Sequence, residues 1–328
     1  MKAKNPSVKV CLYVIFSIMI FVMCGKDKST EAPMLEPGIY LIGSCETPGS
    51  AYSIFVQGNY AYIADQSSGL QIIDISDPEN PTILGNCDTP GTAWDVYVAG
   101  QYAYVADQDA GLQIINVADP SDPAPAGSYD TQDLSNGVFV ADNYAYVADN
   151  GSGLLILNVV DPADPALAAG YELPGFSRGV WVEGDYAYVA KGFSGLHIVD
   201  VSDVNNPAHV KNYYTSGHAW AIYINNDMAY VAADASGLLI IDISDPYNPV
   251  QVGVYDTPDA AYRSFVSGNF AYVADRDSGL QVIDVSSAAE PSSAGSYITP
   301  GPVFGVFADD NYVYITDLDS LRILKFVP

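Results

Sequence analysis

The chain has 328 residues, of which 49% are hydrophobic and only 16% are charged, and its formal net charge is −27. This composition excludes a disordered or coiled-coil protein, because such chains are rich in charged and poor in apolar residues. The balance of 39 Asp and Glu against 12 Lys and Arg argues against nucleic-acid binding, which needs clustered basic residues to neutralise phosphates. The 25 tyrosines, with many valines and isoleucines, favour strands over helices.

The first 23 residues have the pattern of an export signal. Three lysines come first, at Lys2, Lys4 and Lys9. The apolar run Cys11–Met23 follows, and it is shorter than the roughly 20 residues that a transmembrane helix needs. We therefore predict a signal peptide over residues 1–23.

The segment Phe21–Cys24 at the end of this run resembles the lipobox of bacterial lipoproteins. In that motif the cysteine becomes the N-terminus and carries lipid, so the resemblance implies lipidation at Cys24, membrane anchoring and a location in the cell envelope. Met23 departs from the motif, which has a small residue before the cysteine. An ordinary signal peptide, or an uncleaved anchor that contains a cysteine, is the alternative. Residues 24–37 are then a polar tether, and the folded domain covers 38–328.

The stretch GLQIIDISDPENP, which begins at Gly69, recurs five times with substitutions, from Gly111, Gly153, Gly195, Gly237 and Gly279. A residue that is nearly always glycine precedes each YDTP-like segment and marks seven units: Gly43, Gly85, Gly127, Gly170, Lys211, Gly253 and Gly295. Each unit contains four short apolar runs separated by turn residues, which predicts four strands. Such a period is the signature of a repeat architecture.

A four-stranded unit of about 42 residues, packed between copies of itself, is typical of a β-propeller blade. A straight β-solenoid is the alternative. The seventh unit ends after three strands, and the missing fourth strand stands at the other end of the chain, from Gly38. We therefore predict an all-β, seven-bladed β-propeller of four-stranded antiparallel blades. The N-terminal strand joins the C-terminal blade and closes the ring, with residues 38–45 pairing with 321–327.

The six copies of GLQIIDISDPENP resemble the LVIVD repeat of exported bacterial and archaeal proteins. The resemblance covers about residues 38–328. It implies a propeller-like fold and export, but it implies no particular activity, because the family has no established general one.

Two cysteines of the folded part, Cys45 and Cys87, occupy equivalent positions of neighbouring units. Such positions lie too far apart for the Cα spacing of about 4.4–6.8 Å that a disulfide needs. We predict that both are small buried apolar residues and form neither a disulfide nor a metal site.

The sequence offers little material for catalysis. Its three histidines are His197, His209 and His218, and it has no nucleophile elbow, catalytic triad or zincin motif. We therefore predict no catalytic residues and no cofactor, although a propeller enzyme such as a glycan lyase or hydrolase is the alternative.

Aspartates recur at two places in the units. One set follows the second strand: Asp65, Asp107, Asp149, Asp275 and Asp317. The other set ends the third strand: Asp74, Asp200, Asp242 and Asp284. One acid per blade spreads carboxylates around a ring, whereas calcium needs six to eight oxygens at one point. We predict that these acids cap turns and hold no metal; metal binding is the alternative.

One position at the start of the first strand is aromatic in five of seven units: Tyr52, Trp94, Asn136, Arg178, Trp220, Tyr262 and Phe304. The first strand of a propeller blade lines the central channel, so these residues predict an aromatic collar at its mouth. The alternative is that the rings pack between blades. The collar side chains share a face with loops that carry five basic residues: Arg178, Lys191, His218, Arg263 and Arg276.

The collar and the basic loops together predict a ligand site at the channel mouth. Aromatic rings and cations suit an anionic or carbohydrate ligand. We expect a binding or interaction scaffold whose partner is a protein, a peptide or a glycan, and not a nucleic acid. A purely structural surface protein is the other alternative.

Overall fold

The computed structural model describes residues 36–173 and 175–328. The predicted signal peptide, Cys24 and nearly all of the tether lie outside these residues. The described chain forms 28 strands in seven four-stranded antiparallel sheets. Among the described residues, no helix is long and apolar enough to cross a membrane.

The sheets are the blades of a propeller, and blades 1 to 7 follow chain order. First strands are β2 (Ser53–Gln57), β6 (Asp95–Ala99), β10 (Ser135–Ala141), β14 (Gly179–Glu183), β18 (Ala221–Asn225), β22 (Arg263–Ser267) and β26 (Gly305–Ala308). Second strands are β3 (Tyr60–Ala64), β7 (Tyr102–Ala106), β11 (Tyr144–Asp149), β15 (Tyr186–Ala190), β19 (Met228–Ala232), β23 (Phe270–Ala274) and β27 (Val313–Thr316). Third strands are β4 (Leu70–Asp74), β8 (Leu112–Asn116), β12 (Gly153–Asn158), β16 (Leu196–Asp200), β20 (Leu238–Asp242), β24 (Leu280–Asp284) and β28 (Leu318–Val327). Fourth strands are β5 (Thr82–Cys87), β9 (Ala124–Tyr129), β13 (Ala166–Tyr171), β17 (Ala208–Tyr213), β21 (Val250–Tyr255), β25 (Ser292–Tyr297) and, for blade 7, β1 (Gly38–Ala51).

The first strands surround a central channel. Each contacts the first strand of the blade before it and of the blade after it, and β26 contacts β2, so the circle is complete. The core lies between blades, where the apolar faces of neighbouring sheets pack together in seven buried clusters. The fully buried second and third strands explain why the apolar runs of the sequence lack strict alternation.

Strand β1 closes the ring as predicted. It pairs antiparallel with β28, from Gly38 opposite Val327 to Cys45 opposite Leu321. The open edge that a three-stranded seventh blade would present is thereby covered.

The hairpins between first and second strands have the backbone that the turn residues predict. Gly58 and Gly100 have φ of 62°, and Asp142 has φ of 51° at the equivalent turn. This left-handed conformation favours glycine and is tolerated by aspartate.

The loops between second and third strands lie on the same face as the loops that enter the next blade. Gln66 and Ala93 exchange two backbone hydrogen bonds between such loops of blades 1 and 2, and Asp234 and Ala261 do so for blades 5 and 6. We call this side of the propeller the collar face, because it carries the collar residues.

The loops after the third strands form the opposite face, the DP–NP face. Asp74 and its equivalents accept the backbone N–H two residues ahead; the Asp74 Oδ1 to Ser76 N distance is 2.8 Å. Asp200, Asp242 and Asp284 do the same at 2.8–2.9 Å. These bonds lower the pKa of all four carboxyl groups. The predicted turn capping is confirmed for this set.

The glycine that marks most units lies on a fourth strand, where that strand packs against the next blade. A Cβ on Gly253 would overlap the carbonyl oxygen of Ala288, and a Cβ on Gly43 would overlap that of Pro78. Both carbonyls belong to DP–NP loops of the following blade. At Gly295 the following blade has no such loop, and a Cβ would lie 3.4 Å from Ile39 Cδ1. Packing between blades therefore explains the glycine at four units, whereas a Cβ on Gly170 would meet only Leu155 of its own blade and Lys211 occupies the position in blade 4.

Both cysteines of the propeller are free thiols. Cys87 is buried as predicted, whereas Cys45 is only half-buried on the closing strand.

Candidate functional site

The collar side chains converge on the axis of the channel. All seven positions line one small space of about 20 Å³ on the collar face: Tyr52, Trp94, Asn136, Arg178, Trp220, Tyr262 and Phe304. They point inward because the first strand of each blade turns this position toward the channel, and they do not pack between blades.

The collar rings stack on one another and nearly fill the mouth. Tyr52 lies between Trp94 and Phe304, with ring centroids 4.0 Å and 4.6 Å apart. Tyr262 contacts Phe304 at 4.8 Å and Trp220 at 4.6 Å. The aromatic arc is interrupted at two of the seven positions, Asn136 and Arg178.

Arg178 fills part of this gap. Its guanidinium carbon lies 4.8 Å from the centroid of Trp220 and 5.6 Å from that of Phe176, so the cation stacks on two aromatic side chains. Burial lowers its pKa, while the neighbouring Tyr52 and Tyr262 raise it.

A second circle of rings lies three residues further along each first strand, deeper in the channel. All seven of its members are aromatic: Phe55, Tyr97, Phe139, Trp181, Tyr223, Phe265 and Phe307. Each ring contacts both neighbours at centroid distances of 4.5–5.6 Å, so the circle is closed. We call it the inner ring.

A cavity of about 280 Å³ is lined by the inner ring and by residues between it and the collar. Arg178, Trp220, Ala221 and Arg263 line both this cavity and the space at the mouth, so they mark the boundary between the two. The cavity combines aromatic surface with a few polar groups, as small-molecule sites commonly do.

Arg263 is engaged inside the channel. Its Nη2 lies 2.8 Å from Oδ1 of Asp95, which belongs to blade 2. The same carboxylate accepts the hydroxyl of Ser53 at 2.7 Å and the backbone N–H of Val138 at 3.1 Å. We predicted Arg263 as a ligand-binding cation, but the structure gives its charge an internal partner.

Three residues that line the cavity each carry a buried N–H group without an acceptor. These groups are Arg178 Nε, Trp181 Nε1 and Trp220 Nε1. A buried donor without a partner costs about 1–3 kcal/mol, so such groups are normally satisfied by protein, water or ligand.

The remaining predicted cations are dispersed. Arg276 is exposed in a loop of the collar face. Burial raises the pKa of Tyr262, and the Arg276 charge opposes this rise in part. His218 contacts Trp220 at 4.6 Å, and burial together with the Arg178 charge lowers its pKa.

Lys191 does not reach the collar. It is only 1% exposed, and its Nζ has no hydrogen-bond partner. Burial lowers its pKa to about 8. His197 is also buried with both ring nitrogens unpaired; burial first, and the Lys191 charge second, lower its pKa to about 4.

The aspartates after the second strands tie loops together. Asp65 accepts the Thr47 hydroxyl and the Gly49 backbone N–H, both at 2.8 Å. Asp275 is bonded in the same way by the Thr257 hydroxyl at 2.7 Å. In blade 4, Lys191 stands at the position of the aspartate and Leu173 at the position of the threonine. Within the described residues, no group of three or more His, Cys, Asp or Glu is arranged to hold a metal ion.

Large apolar side chains are exposed next to the basic end of the collar. Phe193 is 81% exposed and contacts His218 edge-on at 4.7 Å, and Phe176, under Arg178, is 55% exposed. We call Phe176, Arg178, Phe193, His218 and Trp220 the blade-4 patch; its members are linked by ring and cation–π contacts.

The repeat matches the family model described as the LVIVD repeat over six segments, 48–89, 90–131, 135–172, 174–215, 216–257 and 261–299, which cover more than half of the chain. The chain belongs to the LVIVD-repeat family. No curated protein matches this LVIVD-repeat chain in sequence. Its fold is similar to that of a computationally designed protein, Ika8, with a TM-score of 0.64, 8% identity, and coverage of 86% of this chain and 98% of that one. At that identity the likeness concerns the fold alone.

Sequence reasoning named Arg178, His218 and Trp220 but missed Phe176 and Phe193 of the blade-4 patch, and it missed the inner ring of this LVIVD-repeat propeller. A signal for the inner ring was present, since the position three residues after the collar is aromatic in every unit. The patch could also have been found: Phe193 occupies a position that is Ser67, Asp109, Gly151, Ala235 or Asp277 in other units.

Proposed function

We propose that this LVIVD-repeat propeller is an exported, lipid-anchored binding protein of the cell envelope, and that it holds a peptide segment of a partner protein on the blade-4 patch. The observation that carries the binding role is the departure of one blade from its own repeat. Where other units have small or acidic residues, blade 4 has the exposed Phe193 and the buried Lys191.

Three properties of the patch favour a protein segment with apolar and acidic side chains. Phe176 and Phe193 expose apolar side chains to water. Exposed apolar surface of this kind is typical of a site that a partner covers. Arg178 lies between Phe176 and Trp220 with one N–H unpaired. The Arg178 cation attracts acidic side chains to this patch locally, against the overall charge of −27.

Peptide display on the purified propeller tests the binding role. We expect selected peptides to combine an aromatic or aliphatic residue with Asp or Glu, and Phe193→Ala to weaken them about tenfold or more. Tyr247→Ala is the matched control, because Tyr247 is an aromatic residue 53% exposed on the DP–NP face. The proposal would be contradicted if the two variants lost affinity equally, or if neither variant changed the affinity of the selected peptides.

A glycan is the other ligand that aromatic and cationic groups suit, and a structural protein would bind neither. A glycan array with the same two variants separates these outcomes. Binding of glycans but not peptides, with loss in Phe193→Ala only, would keep the site and replace the ligand class.

The export and anchor part of the proposal is supported by the sequence of residues 1–24. Cys24→Ala should move the protein from the membrane fraction to the soluble fraction, or leave it unprocessed. Labelled palmitate taken up equally by the wild type and the variant would contradict lipidation at Cys24.

A further inference from the structure

The cavity between the collar and the inner ring has spare donors and no spare acidic acceptor. Its one carboxylate, Asp95, is already bonded to Arg263, Ser53 and Val138. By contrast, three lining residues each carry a buried N–H without a partner, namely Arg178, Trp181 and Trp220. A ligand group that reaches any of these N–H groups would have to accept a hydrogen bond from it.

The local charge points to an anion. Arg263 and Asp95 neutralise each other, which leaves the Arg178 guanidinium as the uncompensated charge among the residues that line the cavity. Burial lowers the pKa of Arg178, so its charged form is held at a cost that a bound anion would reduce. A planar carboxylate matches the fixed N–H directions of a guanidinium and can accept two of its hydrogen bonds at once.

The remaining walls favour an aromatic or apolar body. The inner ring supplies seven aromatic side chains to the lining of the cavity. The cavity of about 280 Å³ is large enough for a small organic acid.

We propose that this cavity is a binding site for a small aromatic carboxylate. The carboxylate accepts the N–H groups of Arg178, Trp181 and Trp220, and the ring of the ligand packs against the inner ring.

This site is separate from peptide binding on the blade-4 patch, although Arg178 and Trp220 border both. Trp181 lies in the inner ring and lines only the cavity. Phe193 is exposed and lines neither space. Variants at these two positions therefore distinguish failure of one proposal from failure of the other.

The test measures binding of benzoate and phenylacetate, with benzamide and phenylacetamide as neutral isosteres, by calorimetry and tryptophan fluorescence on the purified chain. We expect both acids to bind saturably at millimolar concentration or below, and both amides to bind at least tenfold more weakly. Trp181→Phe keeps the ring and removes the N–H, so it should weaken the acids about tenfold. Trp94→Phe is the matched control, because Trp94 belongs to the collar and does not line the cavity.

Arg178→Lys supplies a second test if Trp181→Phe does not fold. It keeps a positive charge but loses the fixed fork of donors, and we expect at least a tenfold loss of acid binding. The proposal is overturned if no acid binds, if acids and amides bind equally, or if Trp94→Phe weakens binding as much as Trp181→Phe. A crystal structure grown with phenylacetate that shows only waters bonded to the three N–H groups would also overturn it.

Discussion

Arg263 of blade 6 reaches into the channel to Asp95 of blade 2, and its Nη2 lies 2.8 Å from the Asp95 Oδ1. The two residues are on first strands that are separated along the ring by blades 7 and 1. The carboxylate is 10% exposed and the guanidinium 25% exposed, so water screens the pair only in part. An ion pair inside the channel thus links two blades that share no strand pairing.

Removing Asp95 should destabilise the protein more than removing Arg263. Asp95→Ala leaves Arg263 without its partner in a largely enclosed space, and we expect a loss of about 3 kcal/mol in the free energy of unfolding. Arg263→Met should cost less, about 1 kcal/mol, because Asp95 keeps the Ser53 and Val138 hydrogen bonds. Guanidinium unfolding curves of the two variants measure this, and a larger loss in Arg263→Met would contradict it.

Two glycines that look equivalent in the repeat should respond differently to one added methyl group. Gly253→Ala should lower stability by about 2 kcal/mol, since its Cβ would overlap the backbone carbonyl of Ala288. Gly295→Ala should stay within about 0.5 kcal/mol of the wild type, because its Cβ would make an ordinary contact with Ile39. Thermal unfolding of the pair gives the answer, and equal shifts would show that the glycine has another role.

Asp275 should make the protein less stable as the pH rises from about 4 to above 6. Burial raises its pKa to about 6, against an ordinary value near 4. The folded carboxyl therefore holds its proton more tightly than the unfolded one, and the stability that this contributes is lost as the pH rises through about 6. We expect Asp275→Asn to remove on the order of 2 kcal/mol of this pH dependence.

Asp284→Asn is the control for this experiment. The pKa of Asp284 is lowered by its hydrogen bonds to Ser286, so its contribution is present above the ordinary pKa and is lost only as the pH falls below it. The slope between pH 4 and 6 should therefore be unchanged in Asp284→Asn. An unchanged slope in Asp275→Asn would mean that other buried carboxyl groups, such as Asp65 and Asp107, account for it.

Removing the closing strand should expose an edge of blade 7. A chain that lacks residues 38–45 loses the partners of β28 from Leu321 to Val327. We expect a lower melting temperature and concentration-dependent aggregation, measured by light scattering. A chain shortened only before Glu36 is the control. If the longer deletion melts like this control, ring closure contributes little to stability.

Most of the fold could be predicted from the sequence because the same pattern of strand and turn residues recurs in seven units. The hairpin at Gly58, the cap at Asp74 and the missing strand at Gly38 each follow from neighbouring residues. Errors of local interpretation are averaged out over the units. The period then fixes the number of blades, and the incomplete last unit predicts how the ring closes.

The site was less predictable because it depends on contacts between distant residues. No local pattern connects Arg263 to Asp95, which lies four blades away along the chain. Lys191 was predicted in a loop at the channel mouth, but in blade 4, where it and Leu173 replace the aspartate and threonine of other units, it is buried. The inner ring was overlooked because a position that is aromatic in every unit resembles ordinary core.

The direction of the closing strand determines at which face of the propeller the two ends of the folded chain lie. Strand β1 runs toward the collar, since Ala51 at its end precedes Tyr52, and it begins at Gly38 beside Val327. Both ends of the propeller therefore leave from the DP–NP face. The channel mouth lies at the opposite face of the propeller, away from both Gly38 and Val327.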